Sequence, residues 1–279
     1  MALIERAPSP CDTRPRFSHL EHRLRVLLFL GAVAALLITG GCGEDAAGPT
    51  TPSGNAAARV LVVTHTTGFR HDSIAAAETA LRTIGSDSGL FETEFCRTAE
   101  DVRARLTPSG LASMDAVVFA NTSGNLGVPD LAAFLSWIAG GKAFIGTHSA
   151  SDTYHDSPDY LEMLGGEVLT HGIIVEAELR VNDATHPAVA HLAPRVRVTD
   201  EWYRFRLLGQ GRTVLLSFDR NPPDGLGTPG EPVDLPIAWH KPHGSGRVFY
   251  TAMGHQTEVW NDQRFRTHLR EGIRTALNR

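Results

Sequence analysis

The sequence predicts an α/β domain in which a three-layer, doubly wound and mostly parallel sheet leads into a β-rich C-terminal half. Three observations predict it. From Arg59 onward, short apolar runs alternate with stretches of helical spacing, the pattern of a sheet covered on both faces. Polar residues gather just after several of those runs, where open parallel sheets bind ligands. Beyond Gly172 the spacing changes to closely set β-type segments.

Arg59 to Thr64 reads as a buried strand and His71 to Ile84 as a helix, with Ile74, Ala77, Leu81 and Ile84 at helical spacing. Strands near Phe91 to Cys96, Ala116 to Ala120 and Ala143 to Gly146 alternate with helices near Ala99 to Leu106 and Pro129 to Ala139. The later strands are Ile173 to Val181, Val196 to Thr199, Thr213 to Phe218, Ile237 to His240 and Val248 to Ala252, before a helix from Asn261 to Leu277. Between them, Asn221 to Pro232 has the Gly and Pro content of a surface loop, mobile near the site.

The N-terminal residues carry a different signal. Arg23 and Arg25 precede an uncharged run from Val26 to Ile38, short of the roughly 20 residues that span a bilayer. Thr39-Gly40-Gly41-Cys42 follows and is similar to a bacterial lipoprotein signal, so residues 1–41 are expected to be a signal peptide and Cys42 the lipidated residue. Residues 42–58, rich in Gly, Pro, Ser, Thr and Ala, read as a flexible tether, and 59–279 as one folded domain. The domain would then lie outside the cytoplasm, lipid-anchored in the cell envelope. With Cys42 acylated, Cys96 alone remains in the mature chain and reads as a buried small hydrophobe.

The 279 residues are 42% hydrophobic and 20% charged, with a formal charge of -5. Without the five arginines and three acids of residues 1–41 the remainder carries -7. No concentrated basic stripe is present, which argues against nucleic acid as a partner. An anionic surface repels the like-charged domain, so lipid would supply any attachment to a membrane.

The candidate chemistry lies in the loops. His65, Arg70 and His71 follow the first strand, Asn121 follows the third, and Thr147-His148-Ser149 follows the fourth. Three such loops in register argue for one cleft. Helix-start N–H groups and the Arg70 charge suit an anionic or carbonyl oxygen. His255 follows another strand end, with the aromatic Trp260 shortly after it. Asp200-Glu201-Trp202-Tyr203 sets two carboxylates beside two amphipathic aromatics; alternation along a strand lets one carboxylate face the cleft, and Glu201 is the choice.

The motifs Gly68-Phe69-Arg70-His71, Gly146-Thr147-His148-Ser149-Ala150, Gly165-Gly166 with His171, and Thr185-His186-Pro187 occur in order. They are followed by Asp200-Glu201-Trp202-Tyr203, Pro236-Ile237-Ala238-Trp239, Gly246 to Tyr250 and Gly254-His255. This ordered series resembles the trehalose-utilisation (ThuA-like) family over nearly the whole mature domain. The resemblance implies a class I glutamine amidotransferase-like (flavodoxin-like) fold, with histidine at the nucleophile position of the strand-to-helix elbow. Glutamine hydrolysis through a thioester is not carried over, because no thiolate stands there. Ser149 lies one place off the elbow, and G-x-S-x-G is absent.

His148, held out into the cleft by that elbow, is expected to take a proton or bind a metal. His148, His255 and Glu201 are the candidate catalytic residues. His65, Arg70, His71, Asn121, His171, Tyr203 and Trp260 are the candidate substrate-binding residues. His148, His171 and His255 are candidate ligands of a divalent metal such as zinc, although their spacing follows no recognised zinc motif. The resemblance implies a small carbohydrate partner, a disaccharide or keto-sugar derivative, and hydrolysis, lyase cleavage or isomerisation by histidine acid–base chemistry. The alternative is a non-catalytic sugar-binding surface lipoprotein. His155, His191, His240, His243 and His268 have only structural readings.

Overall fold

Strand β1 (Ala58–Val63) opens the fold in a computed structural model that describes residues 56–207 and 209–279. The expected signal peptide, Cys42 and most of the tether lie outside the described residues. Helix α1 (Ile74–Ser88) follows, then β2 (Phe91–Cys96), α2 (Ala99–Arg105), α3 (Pro108–Leu111), β3 (Ala116–Ala120) and the short β4 (Ser123–Gly124). Helix α4 (Leu131–Ala139) leads to β5 (Ala143–Thr147), a 3₁₀ turn (His148–Ser151), the short β6 (Asp152–Thr153) and α5 (Pro158–Leu164). The second half holds β7 (Gly166–His171), β8 (Val175–Val181), β9 (Arg195–Asp200), β10 (Tyr203–Leu207), β11 (Thr213–Arg220), β12 (Pro232–His243) and β13 (Gly246–Thr251). Helices α6 (Thr257–Asn261) and α7 (Gln263–Ala276) follow, and the described residues form one compact unit.

The main sheet has nine strands in the order β2-β1-β3-β5-β13-β12-β11-β8-β9. The first five are parallel and the last four antiparallel, so the sheet is mixed where the sequence suggested mostly parallel. The hairpin from β12 to β13 explains the change of direction. Its turn residues are Gly244 and Ser245, and Gly244 adopts φ 58, a left-handed value that such tight hairpins need at their first turn position. β3 and β5 are buried at every residue, as strands covered on both faces must be. α1, α6 and α7 pack together on one side of the sheet, while α4 and α5 pack against each other and β13. α7 turns Phe265, Leu269, Ile273 and Ala276 inward at helical spacing; burial of each large one contributes about 1.5–3 kcal/mol.

Three local differences from the sequence reading position the site. α1 begins at Ile74 rather than His71, so His71 sits in the preceding turn with its carbonyl accepting from Ile74 N–H. β7 and β10, neither of which the sequence reading set out as a strand, form a separate antiparallel ribbon that pairs His171 with Tyr203. The segment from Asn221 to Pro232, expected to be mobile, is pinned by buried polar groups. Asn221 donates to the Leu226 and Thr228 carbonyls, and buried Asp224 pairs with Arg204 at 2.8 Å. Cys96 is fully buried and desolvation pushes its thiol up to about 12, which makes it a core residue rather than a nucleophile.

Candidate functional site

Register alignment brings the carboxyl ends of β3, β5 and β13 together: Ala120 pairs with Thr147, and Thr147 with Thr251. His148 is the first residue past β5, at φ 45, a left-handed conformation that costs on the order of 1 kcal/mol for a residue with a side chain. Surrounding bonds hold it there. The His148 carbonyl accepts from the Tyr250 hydroxyl at 2.7 Å, and Nδ1 donates to the Ala252 carbonyl at 2.9 Å. That second bond fixes the tautomer and leaves the Nε2 lone pair facing the site.

The elbow was expected to expose this ring, yet His148 is wholly buried. Tyr203 stacks on it with centroids 4.4 Å apart and directs its hydroxyl to Nε2 at 2.8 Å. His71 and His255 stand edge-on to it, with His71 Nε2 at 3.1 Å and His255 Nδ1 at 3.2 Å from the same nitrogen. Glu201 completes the group, with Oε2 3.3 Å from His255 Nδ1 and 3.6 Å from His148 Nε2, and Oε1 2.9 Å from His171 Nδ1.

The two adjacent carboxylates divide their work as strand alternation requires. Glu201 enters the site, whereas buried Asp200 accepts from Gly254 N–H at 2.7 Å and Gln256 N–H at 3.0 Å. Asp200 therefore holds the loop that carries His255. Burial raises the Asp200 carboxyl to about 6 against those two bonds. Gly254 is required in that loop: it adopts φ 126, and a Cβ there would stand 3.1 Å from the Trp260 ring.

The imidazoles differ in proton affinity. Desolvation, then repulsion from His255, lowers His71 to about 4, and desolvation with the His71 charge lowers His148 well below its ordinary value. Both are neutral at physiological pH. The hydrogen bond to Glu201 outweighs burial at His255 and raises it. Burial also pushes the Tyr203 phenol well above its usual range, so its hydroxyl stays a donor.

A cavity of about 350 Å³ opens over this cluster, lined by His71, Glu201, Tyr203 and His255 from the cluster itself and by Phe69, Val168, Leu169, Thr170 and His171. Asp152 and His155 complete it. His155, given only a structural reading from sequence, sits between Glu167 at 2.6 Å and Asp152 at 2.7 Å. Burial opposes its charge, but the two carboxylates outweigh it and raise its pKa. The sequence offered half a signal, Asp152 three places before it; Glu167 comes from β7.

Other expected residues stand elsewhere. Trp260 was expected to stack on a sugar, but it is fully buried and donates Nε1–H to the Gly254 carbonyl at 2.8 Å, supporting the His255 loop from beneath. Trp202 is likewise buried, bonded to the Val175 carbonyl. Asn121, expected to bind substrate, is also fully buried; its amide donates to Gly254 O and Ser73 Oγ, which ties three loops together. Arg70 turns back to the Thr64 carbonyl at 3.2 Å, and neither it nor His65 lines the cavity. Ser149 Oγ lies 3.4 Å from His71 Nδ1.

The side chains grouped closely enough to be able to hold a metal ion differ by one histidine from the expected candidates. His71, His148, His255 and Glu201 each offer one ligand atom, all within 4.8 Å of one another. His171 gives way to His71, because its Nδ1 is turned to Glu201 Oε1 and to the Gly172 carbonyl. Among the described residues no helix is long and apolar enough to cross a membrane.

Comparison with known proteins places this geometry in context. The family model described as ThuA, trehalose utilisation, matches residues 59–276. A ThuA-like protein from Parabacteroides merdae superposes with a TM-score of 0.66 at 19% identity, covering 79% of this chain and 90% of that one. A ThuA-like protein from Bacteroides uniformis gives 0.65 at 21% identity, over 81% and 94%. A cytoplasmic protein from Salmonella typhimurium gives 0.58 at 12% identity, over 78% and 99%. At these identities the likeness concerns the fold alone. A search of curated proteins finds no match.

Proposed function

The chain belongs to the ThuA trehalose-utilisation family, and from that premise and the site's geometry we propose that it processes a disaccharide or keto-sugar derivative in the cavity over His148. The observation that carries this reading is the convergence of Tyr203, His71, His255 and Glu201 on one unprotonated nitrogen, His148 Nε2, at the carboxyl ends of the sheet. Such a site separates acid from base. His148 is held neutral and accepts, while His255, paired with Glu201, retains a proton to higher pH. Paired sugar hydroxyls suit the Glu201 carboxylate, and the faces of Phe69 and Leu169 in the lining suit the apolar face of a sugar ring.

The test is incubation of the chain with trehalose, other disaccharides and a 3-keto-glycoside, with products followed by chromatography. Product that is lost in Glu201→Gln supports the reading. Calorimetric binding with no product from any of them favours the non-catalytic sugar-binding alternative.

Two further parts of the reading rest on separate supports. The glutamine amidotransferase-like description of the fold is supported by the left-handed backbone at His148, directly after a buried parallel strand. Export and lipid attachment at Cys42 are supported by the basic residues, the apolar run and the small residues before that cysteine.

A further inference from the structure

We propose that His71 Nε2, His148 Nε2, His255 Nδ1 and Glu201 Oε2 form the ligand set of a divalent first-row transition-metal ion, which meets a sugar carbonyl or hydroxyl oxygen arriving from the cavity. This deepens the carbohydrate reading above and rests on it for the identity of that oxygen.

The first support is hydrogen-bond arithmetic at one atom. His148 Nε2 carries no proton, because Nδ1 donates to the Ala252 carbonyl. Its single lone pair nevertheless faces the Tyr203 hydroxyl at 2.8 Å, His71 Nε2 at 3.1 Å, His255 Nδ1 at 3.2 Å and Glu201 Oε2 at 3.6 Å. One lone pair accepts from one donor, so the four groups converge on it in greater number than its hydrogen bonding can satisfy. A cation among them satisfies every lone pair at once.

The second support is distance. Bonds of about 2.0–2.1 Å to imidazole nitrogen and carboxylate oxygen put adjacent ligand atoms about 3.0–3.4 Å apart. Four of the six separations, 3.1, 3.2, 3.3 and 3.6 Å, fall in or next to that range, and all lie within 4.8 Å.

The third support is the shell behind the ligands. Metal-binding imidazoles are oriented through their other nitrogen, and a ligating carboxylate through its other oxygen. His148 uses Nδ1 on Ala252 O at 2.9 Å, His71 has Ser149 Oγ 3.4 Å from Nδ1, and Glu201 Oε1 meets His171 Nδ1 at 2.9 Å. Three imidazoles with one carboxylate suit zinc, manganese, iron, cobalt or nickel rather than calcium or magnesium, which favour oxygen alone. The ion supplies Lewis-acid polarisation of the sugar oxygen; with those lone pairs engaged, proton transfer passes to Tyr203 and His171 at the cavity wall.

Elemental analysis of the full-length chain purified without chelator tests the proposal, together with cobalt(II) titration of the chelator-stripped chain read by its visible absorption. About one transition-metal ion per chain and a saturable cobalt band are expected. His255→Ala and Glu201→Gln should weaken cobalt binding at least about tenfold while circular dichroism shows the parent fold, and His171→Ala should keep the stoichiometry. Absence of stoichiometric metal and of the cobalt band overturns the site, as does undiminished binding by His255→Ala or loss of binding by His171→Ala equal to that of His255→Ala. Sugar turnover by metal-free protein defeats this inference and leaves the carbohydrate reading standing. Metal bound with no turnover does the reverse.

Discussion

The Tyr203 hydroxyl lies 2.8 Å from His148 Nε2, and the two rings stack with centroids 4.4 Å apart. One side chain thus covers the buried imidazole and supplies a donor to its free nitrogen. Tyr203→Phe separates those roles, since it keeps the stack and deletes the hydroxyl. On the proposed function, turnover of a sugar substrate should fall by about 10²–10⁴-fold. Unfolding free energy should change by only about 1 kcal/mol. Steady-state kinetics and urea unfolding on the same preparation check both; unchanged kcat removes Tyr203 from the chemistry.

Asp200 acts on the site through the backbone of Gly254 and Gln256. Asp200→Asn replaces one accepting oxygen with a donor that faces a backbone N–H. Destabilisation of about 1–3 kcal/mol is expected, seen as a lower urea midpoint at unchanged slope. Activity should drop with it, because the same loop presents His255.

His268 makes stability depend on pH. It is buried, donates Nδ1–H to the Ala188 carbonyl at 2.8 Å, and desolvation lowers its pKa to about 4. The unfolded chain takes up this proton near pH 6.5, before the folded chain does, so its contribution is complete above that value. As pH falls from about 6.5 to about 4, stability on the order of 3 kcal/mol is lost from this group. His268→Asn keeps a donor near the Nδ1 position without the titration. Its melting temperature should vary less with pH across that window than the parent's; an equal slope assigns the dependence to other groups.

Lipidation is tested by fractionation. The full chain expressed in a bacterial host should pellet with membranes, and Cys42→Ser should move to the soluble fraction. Retention of that variant in the pellet counts against an anchor at Cys42.

Strands and helices were legible where the pattern is local. The continuous apolar run at β3 and the helical spacing of Ile74, Ala77 and Leu81 each report their own environment. Strand direction is not local, which is why the antiparallel half was missed; the Gly244-Ser245 turn between apolar runs was its readable trace. Loop clustering located His148, His255, Glu201 and Tyr203 in one region, because strand ends converge in this kind of sheet. Which loop histidine turns inward was not readable. His71 and His171 look alike in sequence, and the one-turn delay of α1 and the ribbon pairing decide between them. Trp260 failed for a related reason: an aromatic near a site can serve as its floor, and only packing tells a floor from a wall.

Among the described residues the β7–β10 ribbon pairs with no strand of the nine-stranded sheet. Val168, Leu169 and Thr170 of that ribbon line the cavity, while His148 and His255 hang from the ends of the main sheet. The ribbon therefore both shapes the cavity and carries Tyr203 to His148, across a seam between two hydrogen-bonded frameworks. Exposed ribbon positions such as Leu169 and Thr170 can be replaced without disturbing the core, so the outline of the cavity can change around a fixed cluster of histidines.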